Sequence, residues 1–212
     1  MTSSDARKAF RLTPRQWLIV AALFAVMVKL RWFAGADQAV TEWFTSRRTP
    51  SLDAIVRAVT FFGSSPWILG VMGLMSGWWL SRGNRRTPAI LWGAWGLGML
   101  AQILLRLAVA QWRPDAGLLP VSMDLITRVD RAGFPSGHAF RVAFLYGWWA
   151  KTSRQRRLHW SVAVGCLTLV VGVGLARVYL GRHWLSDVAG SWLVAAWALA
   201  LARSWQGAPA ER

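Results

Sequence analysis

Apolar residues gather into six runs separated by short polar and basic turns. They extend from about Trp17 to Phe33, Pro66 to Leu80, Pro88 to Trp112, Ser136 to Ala150, Trp160 to Ala176 and Trp184 to Ala202. Several approach the roughly 20 residues that a helix needs to cross the hydrocarbon core of a bilayer. The second and fourth runs are short, so their boundaries are the least defined. No strand-like alternation points to a barrel. Inside lipid a helix satisfies its own backbone hydrogen bonds. The pattern predicts an all-α polytopic membrane protein, with six transmembrane helices in one bundle. No internal repeat or low-complexity linker divides it. It therefore reads as one membrane-embedded domain over residues 1–212, with a core at about 14–204 and a basic tail at 1–13.

Local signals refine this outline. Thr13-Pro14 and Thr87-Pro88 read as N-cap and first-turn proline pairs. Residues 51–63, SLDAIVRAVTFFG, place apolar side chains at helical spacing. They predict a short helix, either amphipathic on the membrane surface or packed into the domain. A basic start, an apolar run and Ala34-Gly35-Ala36 outline a signal peptide. Lys29 and Arg31 stand between that run and the candidate cleavage site, and they count against cleavage.

Charge sets the orientation. Arg7, Lys8, Arg11 and Arg15 precede the first run. Arg82, Arg85 and Arg86 follow the second, and Lys151, Arg154, Arg156 and Arg157 follow the fourth. With six spans these groups share one side, which the positive-inside rule makes cytoplasmic. Both termini then lie in the cytoplasm of a cell inner (plasma) membrane protein. Most acidic residues fall on the opposite side. Nearly half of the basic residues fall there too, so those charges need another task.

Composition agrees with membrane. Hydrophobic residues make up 55% of the chain and charged residues only 16%, with 16 Trp. A soluble domain carries about 25% charged residues. The net charge of +16 would suggest nucleic acid in a soluble protein, but long apolar runs separate the basic clusters. Anionic lipid headgroups are therefore the expected partners, and no nucleic acid is. The Trp residues at 67, 78, 79, 92, 148, 149, 160, 184 and 205 mostly lie near run ends, as interfacial belts do. Gly70, Gly73, Gly77, Gly93, Gly96 and Gly98 are read as sites of close helix contact. The single Cys166 allows no intramolecular disulfide.

Three polar clusters fall on the non-cytoplasmic side: Arg106 and Arg113-Pro114, then Pro135-Ser136-Gly137-His138, then the stretch from Ala176 to Asp187. Arg106, Arg113 and Arg177 offer planar forks of donors suited to phosphate oxygens. Ser136 adds a hydroxyl. The Gly137 and His138 amides lie at an expected helix start, which favours anions. His183 and Asp187 are four apart, so on a helix they share a face. Asp187 would then accept from one imidazole nitrogen and present the other as a nucleophile. His138 would serve as general acid.

The order and spacing of these clusters resemble the signature of the type-2 phosphatidic acid phosphatase superfamily, which also includes soluble vanadium haloperoxidases. That signature is Lys-x6-Arg-Pro, Pro-Ser-Gly-His and Ser-Arg-x5-His-x2-Ser-Asp. Here it becomes Arg106-x6-Arg113-Pro114, Pro135-Ser136-Gly137-His138 and Ala176-Arg177-x5-His183-x2-Ser186-Asp187. Arg106 stands in place of Lys and Ala176 in place of Ser. The first keeps the charge with a different reach, and the second omits one hydrogen bond. The resemblance implies that His183 attacks phosphorus and forms a phosphohistidine, steadied by Asp187. His138 protonates the leaving oxygen and then activates water. Arg106, Arg113, Arg177, Ser136 and the Gly137 amide neutralise the equatorial oxygens. No metal or other cofactor is implied.

Arg141 lies outside the signature. Three residues from His138, it shares that helix face and is a candidate headgroup contact, with Asp124 or Asp130 as alternative partners. Arg182 reads as an interfacial anchor. The expected function is hydrolysis of a lipid phosphate or diphosphate at the periplasmic or extracytoplasmic surface. Candidate substrates are undecaprenyl diphosphate, phosphatidic acid and phosphatidylglycerol phosphate. The alternatives are a lipid phosphotransferase using the same intermediate, and a non-catalytic lipid-binding or transport protein. Residues 115–132, next to the signature, are positioned to cover the headgroup. Oligomeric state is not readable from the sequence.

Overall fold

The computed structural model describes residues 12–114, 131–153 and 159–207, with the side chains at 153 and 159 left out. Eight helices occupy the described residues. They are α1 Pro14–Lys29, α2 Ala34–Thr45, α3 Pro50–Phe61, α4 Ser65–Ser81, α5 Arg86–Val109, α6 Gly137–Ser153, α7 His159–Tyr179 and α8 Leu185–Gln206. The only β feature among the described residues is an isolated bridge between Trp112 and Ala132.

Several boundaries follow from local chemistry. Thr13 caps α1, accepting from the Gln16 amide while the Gln16 side chain reaches back to the Thr13 amide. This reciprocal box satisfies two donors that the first turn leaves open. At α5 the expected Thr87 cap is not the one used. The helix begins at Arg86, and Asn84 Oδ1 accepts from the Thr87 amide at 3.0 Å. Asn fills this role as well as Thr, and it stands closer to the preceding turn. The 51–63 segment forms α3, which packs on α7 with Val59 and Phe62 against Val173. None of its residues is fully buried, and it continues into α4 within one long apolar stretch.

α8 is the axis of the bundle and touches α1, α2, α5, α6 and α7. Its buried positions are Ser186, Asp187, Val188, Gly190, Ser191, Val194, Ala195, Ala198, Ala200 and Ala202. Nearly all are small, which lets neighbouring helices approach closely where lipid supplies no hydrophobic drive. A Cβ on Gly190 would lie 2.3 Å from the Phe134 ring, and one on Gly98 would lie 2.3 Å from Phe140. The other glycines expected at contacts divide. Gly93 faces Trp205, while Cβ atoms at Gly70, Gly73, Gly77 and Gly96 would meet nothing within 4 Å. Trp148 also departs from the expected interfacial belt. It is fully buried beside Phe144 and Trp79, because its helix turns that face toward the core.

By length and composition, four stretches are able to cross a membrane: Pro50–Ser81, Arg86–Val109, Trp160–Tyr179 and Leu185–Gln206. α1 and α2 make a fifth if their pair, bent by 79°, counts as one span. α6, at 17 residues, is shorter than those stretches. The fold is thus an all-helical membrane bundle with four or five candidate spans, and the sixth expected span is not reached by these measures. One end of the bundle gathers Arg86, which donates to the Trp205 carbonyl, and Lys151, which donates to Gln206. The other end gathers the three polar clusters.

The tight α8 packing is testable. Gly190→Ala drives a methyl group into the buried Phe134 ring and is expected to cost about 1–3 kcal/mol. The thermal midpoint of the detergent-solubilised variant should fall. An unchanged midpoint would mean that α8 sits farther from Phe134 than described.

Candidate functional site

The three clusters meet at one end of the bundle, each held by a helix terminus. Arg106 lies in the last turn of α5, which stops where Ala110 turns left-handed at φ 54°. Gln111, Trp112 and Arg113 follow in extended chain. α6 starts at Gly137, and Ser136 Oγ accepts from the Ala139 amide at 3.5 Å. Arg177 closes α7. The amides of Arg182 and His183 both donate to its carbonyl, and Gly181 at φ 68° supplies the turn between them.

His183 and Asp187 do not share a helical face, because α8 begins only at Leu185. The contact is made across the start of the helix, with His183 Nδ1 3.3 Å from Asp187 Oδ2. The same carboxylate oxygen accepts from the Trp184 amide at 2.9 Å, and Oδ1 accepts from Gln111 Nε2 at 3.0 Å. Both residues are buried, His183 at 2% exposure and Asp187 at 0%. A carboxylate only accepts, so His183 Nδ1 carries the proton and Nε2 keeps its lone pair. Burial holds the His183 pKa well below the ordinary imidazole value. The charges of Arg177, Arg113, Arg106 and His138 lower it further. Both effects favour the neutral ring.

Around this pair the backbone of Gly137 faces guanidinium groups. A Cβ at that position would lie 3.2 Å from Arg141 Nη1 and 3.3 Å from Arg106 Nη2. The missing side chain leaves room for an anion at the start of α6. Arg113 brings a buried Nε that has no hydrogen-bond partner among the described residues. A cavity of about 340 Å³ opens beside Arg113, between the ends of α1 and α5 and the start of α2. Arg141 points back into the site. Its Nη2 lies 3.0 Å from His138 Nδ1, and its Nε donates to the Gly63 carbonyl at 3.0 Å. Its alternative partners, Asp124 and Asp130, lie outside the described residues, as do residues 115–130 of the covering segment 115–132. Among the described residues, no three His, Cys, Asp or Glu side chains are placed to hold a metal ion.

Sequence reading missed the supports behind the cluster. Gln111 bridges Asp187 Oδ1 and Ser186 Oγ. Asp37, from α2, accepts from the Ser186 amide at 2.8 Å and from its hydroxyl at 2.6 Å. Ser191 donates to the carbonyls of Ser136 and Asp187. The one sequence signal for Asp37 was an isolated carboxylate flanked by apolar runs in a basic chain. Nothing marked Gln111 or Ser191. Asp37→Ala leaves two buried donors of Ser186 without an acceptor. This is expected to cost about 1–3 kcal/mol of stability, measured by thermal unfolding. No loss would show that Ser186 finds a replacement partner.

The PAP2 superfamily pattern matches residues 87–210, which hold all three clusters. Phosphatidylglycerophosphatase B of Bacillus subtilis (strain 168) is 24% identical over 163 residues, 73% of this chain and 75% of that protein. Among solved structures, the first transmembrane PAP2 type phosphatidylglycerolphosphate phosphatase, from Bacillus subtilis, superposes with a TM-score of 0.77. It is 22% identical and covers 94% of this chain and 99% of its own. LpxE of Aquifex aeolicus superposes with a TM-score of 0.57 at 21% identity, over 77% of this chain and 93% of its own. At these identities the two structures speak to the fold alone.

Proposed function

This chain belongs to the PAP2 superfamily, and on that premise we propose that it is an integral membrane lipid phosphatase. One observation carries the reading. A buried His183 meets Asp187 through Nδ1, beside an arginine-lined space over Gly137.

In the proposed reaction His183 Nε2 attacks phosphorus in line and forms a phosphohistidine, and the P–O bond to the lipid breaks. Asp187 stabilises the resulting imidazolium through Nδ1–H. His138 gives its proton to the leaving oxygen. It then takes a proton from water as that water displaces His183, releasing inorganic phosphate. Arg106, Arg113, Arg177, Ser136 and the Gly137 amide stabilise charge on the equatorial oxygens. All the groups in this scheme belong to the protein, so we propose metal-independent turnover.

A glycerolipid phosphate or polyprenyl diphosphate is the proposed substrate class. The relative named as a phosphatidylglycerophosphatase favours the former. We further propose a single domain with six spans, with α6 as the shortest and the bent α1–α2 pair as one. The basic turns would face the cytoplasm, and the site the outer surface of the inner membrane.

Phosphate release by purified protein tests the reading. The panel holds undecaprenyl diphosphate, phosphatidic acid, phosphatidylglycerol phosphate and a soluble phosphate ester, each with EDTA. Release from a lipid should survive the chelator and vanish in His183→Ala. Asp187→Asn, which keeps the shape but not the charge, should lose about 10³- to 10⁴-fold in kcat, by analogy with other oriented histidines. Release that EDTA abolishes would overturn the metal-free scheme. If radiolabelled phosphate moves to a second lipid and not to water, the protein is a phosphotransferase.

A further inference from the structure

The proposed reaction gives Arg141 no task, yet its guanidinium is held by two hydrogen bonds. Nε donates to Gly63, at the turn between α3 and α4. Nη2 meets His138 Nδ1 at 3.0 Å. Nη1 stands with Arg106 Nη2 over the backbone of Gly137. Among the described residues, no carboxylate pairs with it. A guanidinium has donors and no acceptor. His138 Nδ1 must therefore accept, and the neutral ring carries its one proton on Nε2. In the imidazolium both nitrogens are donors, so Nδ1–H would oppose an N–H of Arg141. As long as Arg141 holds Nδ1, His138 has no place for a second proton. On the phosphatase reading His138 must donate a proton, so Arg141 has to let go first.

The same geometry supplies the trigger. A phosphate dianion over Gly137 would lie beside Nη1, and it offers the guanidinium an opposite charge and two parallel N–H···O bonds where a neutral imidazole offers one lone pair. We propose that Arg141 is a positioning residue that caps His138 Nδ1 in the empty site and turns to the phosphoryl oxygens when phosphate enters. Only then does His138 take a second proton, which comes from the aqueous phase. The Gly63 carbonyl keeps Nε in place as the pivot. The other groups whose charge acts on His138 are Arg177, Arg113 and His183. The use of this coupling in turnover rests on the phosphatase reading. The coupling itself is a property of phosphate binding.

Two measurements test it. The chain has only three histidines, so full-length protein labelled with [15N]histidine gives few ring signals, assignable with His159→Gln and His183→Ala. In phosphate-free protein His138 should show a bare Nδ1 and a protonated Nε2. Inorganic phosphate should protonate both. A protonated Nδ1 before phosphate is added, or a bare one after saturation, would overturn the proposal, and this arm needs no variant at Arg141.

The second measurement is the pH profile of kcat/KM. Arg141→Gln should lose about 10- to 100-fold through the missing charge-assisted bond. Its alkaline limb should move to higher pH, because the cationic donor on His138 is gone and an amide oxygen can accept from Nδ1–H. Arg141→Lys should regain part of the affinity without restoring the wild-type limb. A uniform loss with an unchanged profile would leave Arg141 a simple phosphate contact and defeat the coupling. No phosphate release from any lipid, with the NMR coupling intact, would sink the phosphatase reading alone.

Discussion

A carboxylate with no access to water holds the functional end of this bundle together. An unpaired buried charge costs several kcal/mol, so Asp187 must find donors. It finds three: His183 Nδ1, the Trp184 amide and Gln111 Nε2. Its own carbonyl accepts from the Ser136 amide and the Ser191 hydroxyl. Those bonds bind the end of α5, the start of α6 and the α7–α8 turn to a single point. The three signature clusters, far apart in sequence, meet because this residue cannot be satisfied otherwise.

The rest of the architecture accommodates that knot. Small residues along α8 let five helices reach it. Asp37 extends the network to α2 through Ser186. The arginines proposed to bind phosphate also lie close enough to offset negative charge on Asp187. So many cations crowded near His138 and His183 favour neutral imidazoles until an anion arrives. Binding charge and proton position are therefore linked here by proximity alone, and Arg141 is where that link becomes a specific hydrogen bond.

Where sequence reading failed, the cause was a partner it had no means of seeing. Thr87 has the residue type of a cap, yet Asn84 caps the helix because the chain turns there first. Trp148 resembles a belt residue by position, but its side of α6 faces the core. Four of the six glycines expected at contacts face open space, while Gly190, not singled out, is among the tightest. His183 and Asp187 do meet as their spacing suggested, although across a helix start.

By itself the sequence determined the helical membrane class, the three clusters with their spacing, and the residues proposed as nucleophile, partner and cradle. These are local properties. Apolar run length selects helices in lipid, and residue type with short spacing selects chemistry. Only the tertiary structure decided that Gln111 and Asp37 brace the site, that α8 is its axis, and that Arg141 turns inward to His138 and Gly63. Arg141 and His138 are near neighbours on α6, whereas the Gln111–Asp187, Arg141–Gly63 and Asp37–Ser186 bonds join residues about 70 to 150 positions apart. No periodicity records such a pairing, because which buried donor finds which acceptor is fixed by how the helices pack.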